Sequence, residues 1–120
     1  MTFSNDKAIY VQMADRLCDE ILAGKYQDDD RIPSVRDYSV LLEVNNNTAV
    51  KAYDELALAN IIYNKRGLGY FVTPGAKKQI LKERKKEFMK ERLPELFRQM
   101  QLLGITLEDV KVAYELQQKA

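Results

Sequence analysis

Apolar residues recur every four positions near the start of the chain: Ile9, Met13, Leu17 and Ile21, with Ala14 and Leu22 widening the stripe. That period predicts an amphipathic helix from about Ala8 to Ala23, with Gly24 as its stop. A loop of about ten residues then runs to Ile32-Pro33. Ser34 and Asp37 stand at capping-box spacing ahead of a short helix, Val35 to Leu42, with Val35, Tyr38, Leu41 and Leu42 as its inward face. Glu43-Val44-Asn45 forms a tight turn into a third helix, where Ala49, Ala52, Tyr53 and Leu56 fall at i, i+3, i+4 and i+7. This helix ends near Ala59, and Asn60 can take the left-handed stop in place of glycine.

The period then changes. Ile61-Ile62-Tyr63 and Tyr70-Phe71-Val72 are strand formers on either side of Asn64–Gly69, which predicts a β-hairpin with Lys65 and Arg66 at its tip. Pro74-Gly75 closes the unit. From Ala76 to about Leu103 the pattern is helical again, broken by Pro94 and stopped by Gly104. Thr106 and Asp109 repeat the capping spacing before a last helix with Leu107, Val110 and Tyr114 on one face. The expected fold is mostly α with a small β-hairpin. Residues 1–75 form a winged helix-turn-helix, and residues 76–120 a short helical tail.

Composition removes most chemistry. The chain has 120 residues, no histidine and a single cysteine, Cys18. The commonest general base and metal ligand is missing, so a zinc site is not expected, and a single cysteine excludes an internal disulfide framework. Asp28, Asp29 and Asp30 are the densest acidic cluster, but they lie where a turn is expected and read as solvated turn residues. No enzyme, metal or cofactor is expected. No apolar run approaches the length of about 18 residues needed to span a membrane, and the polar start lacks a signal peptide's features. A soluble, cytoplasmic protein without membrane contact is expected.

Residues 1–75 carry 8 Lys and Arg against 11 Asp and Glu, and residues 76–120 carry 11 against 7. Global charge therefore does not announce a nucleic-acid binder; a local patch must do so. Such a patch is expected at the start of the third helix. Asn45, Asn46 and Asn47 stand there in a row, although asparagine is a poor helix former. Asn45 serves as the N-cap, which leaves Asn46 and Asn47 for bases or phosphates. Lys51, on the same outward face, suits a phosphate, and Val50 a thymine methyl.

From Ile9 to Val72 the chain resembles the DNA-binding domain of the GntR family of bacterial transcription regulators. The resemblance is carried by Ile9-Tyr10 with Gln12, Gly24, Pro33-Ser34-Val35-Arg36, Val44-Asn45, Asn47-Thr48, Lys51-Ala52-Tyr53, Leu56 and Arg66–Val72. It implies DNA contacts at Ser34 and Arg36, at Asn45, Asn46, Asn47 and Thr48, and at Arg66 and Gly67 on the wing. Together with Lys51 and Lys65 these make up the expected DNA-binding set. Six residues at four sites depart from the family's pattern. Asp28-Asp29 replaces Pro-Gly, Glu43 and Asn60 replace glycines, and Asn45-Asn46 replaces a common serine-arginine pair. The last departure removes a cation from the recognition helix and alters the expected base preference.

The tail's length and its breaks at Pro94 and Gly104 resemble the YtrA-type subfamily, which implies a helical dimerisation tail. Phe88, Met89, Leu93, Leu96, Phe97, Met100 and Leu103 offer more apolar surface than the last helix, with Leu107, Val110 and Tyr114, could cover. A symmetric second copy would bury the rest. Lys77, Lys78, Lys82, Lys85 and Lys86 read as a solvated face, with phosphate contact as the alternative. The expected function is a homodimeric, sequence-specific regulator of transcription, a repressor, on a near-palindromic operator in double-stranded DNA. A winged-helix protein-interaction module without sequence-specific DNA binding is the alternative. No residue identifies an effector; a small molecule would have room at the dimer interface or between tail and winged helix.

Overall fold

Helix α1 (Ile9–Leu22) buries Met13, Leu17 and Ile21, as its four-residue period requires. Ile9, the first member of the stripe, stays largely exposed at the helix start. Gln12 ties the preceding segment down: its amide donates to the carbonyls of Ser4 and Lys7, both at 2.8 Å. At the other end Gly24 has a φ of 85°. Its N–H donates to the Ile21 carbonyl and that of Lys25 to the Glu20 carbonyl, both at 3.0 Å. These are the two bonds of a Schellman stop. The computed structural model describes residues 3–4 and 6–119.

The same stop recurs twice without glycine. After α2 (Val35–Leu42), Glu43 is left-handed at φ 55°, and Val44 N–H reaches the Ser39 carbonyl at 2.9 Å. After α3 (Asn46–Leu58), Asn60 has φ 64° and Ile61 N–H reaches the Leu56 carbonyl at 2.9 Å. The family's glycine positions are thus real left-handed positions here, filled by residues with a Cβ. Both helices begin with the expected caps. Ser34 Oγ accepts from Asp37 N–H at 3.0 Å and Asn45 Oδ1 from Asn47 N–H at 2.7 Å.

One inward residue of α2 is corrected. Leu41 is 61% exposed; the buried residues are Tyr38, Ser39 and Leu42. With half-buried Val35 they fall at i, i+3, i+4 and i+7, which leaves Leu41 on the opposite side. Buried Ser39 satisfies its hydroxyl on the Arg36 carbonyl at 2.7 Å.

Strands β1 (Ile62–Lys65) and β2 (Gly69–Val72) pair antiparallel, with Ile62 opposite Val72 and Lys65 opposite Gly69. The expected ten-residue loop before Pro33 contributes to this sheet. Arg31 bridges Phe71, Ile32 N–H donates to the Tyr70 carbonyl, and Val72 N–H donates to the Asp30 carbonyl. The acidic cluster is exposed but employed rather than merely solvated. Asp28 accepts from Gly75 N–H, Asp29 from the Tyr63 hydroxyl and Asp30 from Gln27 N–H. Asp29 takes a third left-handed position, at φ 63°.

The core joins Met13, Leu17 and Ile21 to Leu42, Ala52, Tyr53 and Leu56, and to Ile62 and Val72, with half-buried Cys18 against it. Ala76 and Ile80 belong to it as well. They lie on α4 (Ala76–Glu87), so the first compact unit, Met1–Lys82, runs past the boundary expected after Gly75.

The second compact unit is Glu83–Ala120. A π-helical turn, Phe88–Arg92, precedes α5 (Leu93–Leu103). Pro94 has no N–H and its ring crowds the carbonyl four residues back, so the backbone widens ahead of it. Gly104 (φ 68°) stops α5 as expected, and α6 (Leu107–Lys119) follows. Its capping box is reciprocal: Asp109 Oδ2 accepts from Thr106 N–H at 2.9 Å, and Thr106 Oγ1 from Asp109 N–H at 3.1 Å. Among the described residues, none in the π turn, α5 or α6 is buried. Leu96 and Phe97 are about half exposed, and Leu103, Leu107 and Tyr114 more so.

Candidate nucleic-acid interface

The start of α3 combines a buried face with an open one. Ala49, Ala52 and Tyr53 point into the core, while Asn45, Asn46 and Asn47 are exposed. Capping uses only the acceptor oxygen of Asn45, so its amide N–H groups stay available. The same holds for Ser34, whose Oγ accepts from Asp37 N–H and whose own hydroxyl proton is left to donate. Phosphate oxygens only accept, so both caps keep the half of their hydrogen-bonding capacity that DNA needs. Asn46 is less free than its neighbour, with Oδ1 3.5 Å from Ser39 Oγ on α2.

Asn47, Thr48 and Lys51 line one shallow cleft with Ile9 and Tyr10 of α1. The Lys51 ammonium lies over the Tyr10 ring, 4.1 Å from its centroid. A cation held on an aromatic face keeps its outward N–H groups for another partner. Tyr10 belongs to the resemblance to the family but escaped the expected site. Its only signal was an aromatic residue beside the buried stripe of α1.

Tyr53 links the three parts of this surface. Its hydroxyl donates to the Pro33 carbonyl at 2.6 Å, just before Ser34 and Arg36. Its ring meets Tyr70 of β2 edge-on at 5.1 Å and Tyr38 of α2 at 6.1 Å. Tyr38 in turn donates to Glu20 of α1 at 2.7 Å. Burial, first of all, pushes both phenols far above their ordinary range, so both remain hydrogen-bond donors. Arg36 is exposed on the first turn of α2.

At the wing tip Leu68 N–H donates to the Lys65 carbonyl at 2.8 Å across a turn whose third residue, Gly67, has φ 79°. A side chain there would be strained, which accounts for the glycine. Lys65 and Arg66 are exposed, and the Lys65 ammonium lies 5.2 Å from the Phe71 ring centroid. The structure thus joins Asn47, Thr48 and Lys51 in one cleft, and ties α3 through Tyr53 both to the start of α2 and to the wing. Among the described residues, no hydrogen bond, ion pair or ring contact joins the wing tip directly to the start of α3. No group of histidine, cysteine and acidic residues able to hold a metal occurs among the described residues.

Two helices joined by a tight turn, the second opening on exposed amides and followed by a cationic hairpin, define a winged helix-turn-helix of the DNA-binding kind. The model of bacterial regulatory proteins of the gntR family matches residues 9–72, and the chain belongs to the GntR family. It is therefore a transcriptional regulator and not an enzyme. It is 32% identical over 108 residues to the HTH-type transcriptional regulator YhcF of Bacillus subtilis (strain 168), covering 90% of this chain and 88% of YhcF. It is 34% identical over 100 residues to the HTH-type transcriptional repressor YtrA of the same organism, covering 83% of this chain and 76% of YtrA. A solved GntR-family structure from Bacteroides thetaiotaomicron superposes with a TM-score of 0.80 at 47% identity, covering 92% of this chain and 98% of that one. No helix among the described residues is long and apolar enough to cross a membrane.

Proposed function

We propose that the chain is a homodimeric repressor that reads a near-palindromic operator through two copies of α3. The reading rests on the first turn of α3, where three exposed amides stand opposite a fully buried face. Asn47 and Thr48 meet base edges. Ser34, Asn45 and Lys51 hold phosphates, and Arg36 takes a guanine or a phosphate. Lys65, Arg66 and Gly67 bring the wing to the minor groove, where arginine is favoured. Repression is supported by likeness to YtrA, a transcriptional repressor by name. A cytoplasmic location is part of this reading, supported by membership of a transcription-regulator family.

Pairing is supported by the tail. Phe88, Met89, Leu96, Phe97 and Leu103 lie open in α5 and the turn before it, while Leu93 and Met100 are half-covered. A second copy laid against this surface, with Leu107, Val110 and Tyr114, would give both tails the core that neither has alone. A two-fold dimer presents two recognition helices and fits half-sites about one DNA turn, or a multiple of it, apart.

The test is selection of bound duplexes from a random library at one stated salt concentration, with wild type and Arg36→Ala. Enrichment of an inverted repeat, relaxed or lost in the variant, supports the reading. Only salt-sensitive binding to any duplex would leave a winged-helix interaction module in its place.

A further inference from the structure

The hairpin has two unlike faces. Ile62 and Val72, paired across it, are buried on one. Residues paired directly across strands share a face, and so do alternate residues along a strand. The pairs Tyr63–Phe71 and Lys65–Gly69, and the bridge from Arg31 to Phe71, therefore place all five residues on the opposite, outer face. There the Tyr63 and Phe71 rings stack at 5.7 Å, and the Lys65 ammonium sits over Phe71.

Arg31 lies toward the tip of this face. A Cβ built on Gly69 would stand 3.2 Å from Arg31 Nε and 3.5 Å from Nη2, so the guanidinium rests against the bare Cα of Gly69. Gly69 pairs with Lys65, next in sequence to Arg66. Arg31 is exposed and makes no ion pair among the described residues. The nearest acids in sequence are engaged elsewhere, Asp29 by the Tyr63 hydroxyl and Asp30 by Gln27 N–H. A guanidinium seated on glycine, unpaired and level with Lys65, is a cation presented outward.

We propose that Arg31 is a third DNA-contacting cation of the wing and that it binds a backbone phosphate. The proposal rests on the DNA-binding reading above. When the tip enters a groove, residues one step behind it come level with the phosphates along the rim. A contact there gives affinity without sequence preference.

The experiment is a fluorescence-anisotropy titration of the full chain against the selected operator duplex and a scrambled duplex, at several salt concentrations. Wild type, Arg31→Ala and Arg31→Lys are compared, with thermal unfolding of each. Arg31→Ala should weaken both duplexes alike, by about fivefold, and lower the log–log salt slope by about 0.9. Arg31→Lys should recover most of the loss, at unchanged unfolding temperature. Wild-type affinity and slope in Arg31→Ala would overturn the proposal, as would a loss confined to the operator. Wild type that binds no duplex would instead remove the underlying reading, and this proposal with it.

Discussion

If the tail pairs as proposed, replacing Phe97 by alanine should separate the two copies. Phe97 lies on α5 and is 48% exposed in the single chain. An aromatic residue carries about 200 Å² of accessible surface, so about 100 Å² stands open for a partner to cover. At about 25 cal/mol per Å², and allowing for what the alanine methyl still buries, the loss is about 2 kcal/mol per copy. A symmetric interface counts it twice, giving about 4 kcal/mol, or roughly a thousandfold weaker dimer. Sedimentation equilibrium over a range of loading concentrations reads this directly. Leu58→Ala is the control, because Leu58 on α3 of the first unit is 84% exposed and outside the proposed interface. It should leave association unchanged. A Phe97→Ala chain that associates like wild type would refute the placement of the interface on α5.

Tyr10→Leu should lower DNA affinity about two- to fivefold, the worth of an exposed cation–π contact, because the Lys51 ammonium loses its platform; an anisotropy titration against the selected operator checks it. Glu43→Gly should stabilise the fold by about 0.5–1 kcal/mol, since it relieves a left-handed residue at φ 55° and gives back part of the gain through a freer unfolded chain. A urea midpoint lower than wild type would count against this. Hydrogen bonds from Thr106 hold the Asp109 carboxyl below its ordinary value of 3.8, so its contribution to α6 is complete above that pH and fades as the pH falls through the lowered value. Circular dichroism of wild type and Asp109→Asn on acidification should show a step in wild type that the variant lacks.

Periodicity and caps made most of the first unit legible. Met13, Leu17 and Ile21 repeat every four residues, and Ser34, Asn45 and Asn60 each do locally what their side chains favour. Leu41 was misplaced because in an eight-residue helix one apolar position more or less shifts the inferred face. Features made between distant segments stayed hidden. The bridge from Arg31 to Phe71 joins positions forty apart, and the bond from Tyr63 to Asp29 spans thirty-four. No local pattern marks either. The site divided along the same line. Asn47 and Lys51 could be placed from helical phase and Thr48 from the resemblance to the family, whereas the support that Tyr10 gives Lys51 depends on how α1 packs beside α3. Pro94 announced a break, but the π turn ahead of it is a backbone response that residue type does not specify.

The absence of any buried residue, among those described, from the π turn to the end of α6 bears on gene dosage. If the tail pairs as proposed, a second copy supplies the interior it lacks, and its order would rise with the number of copies in the cell. Operator occupancy would then climb more steeply than in proportion to copy number, because on that reading two chains must meet before both half-sites can be held. A small change in expression would move such a regulator between a largely empty operator and a largely filled one, with no ligand involved.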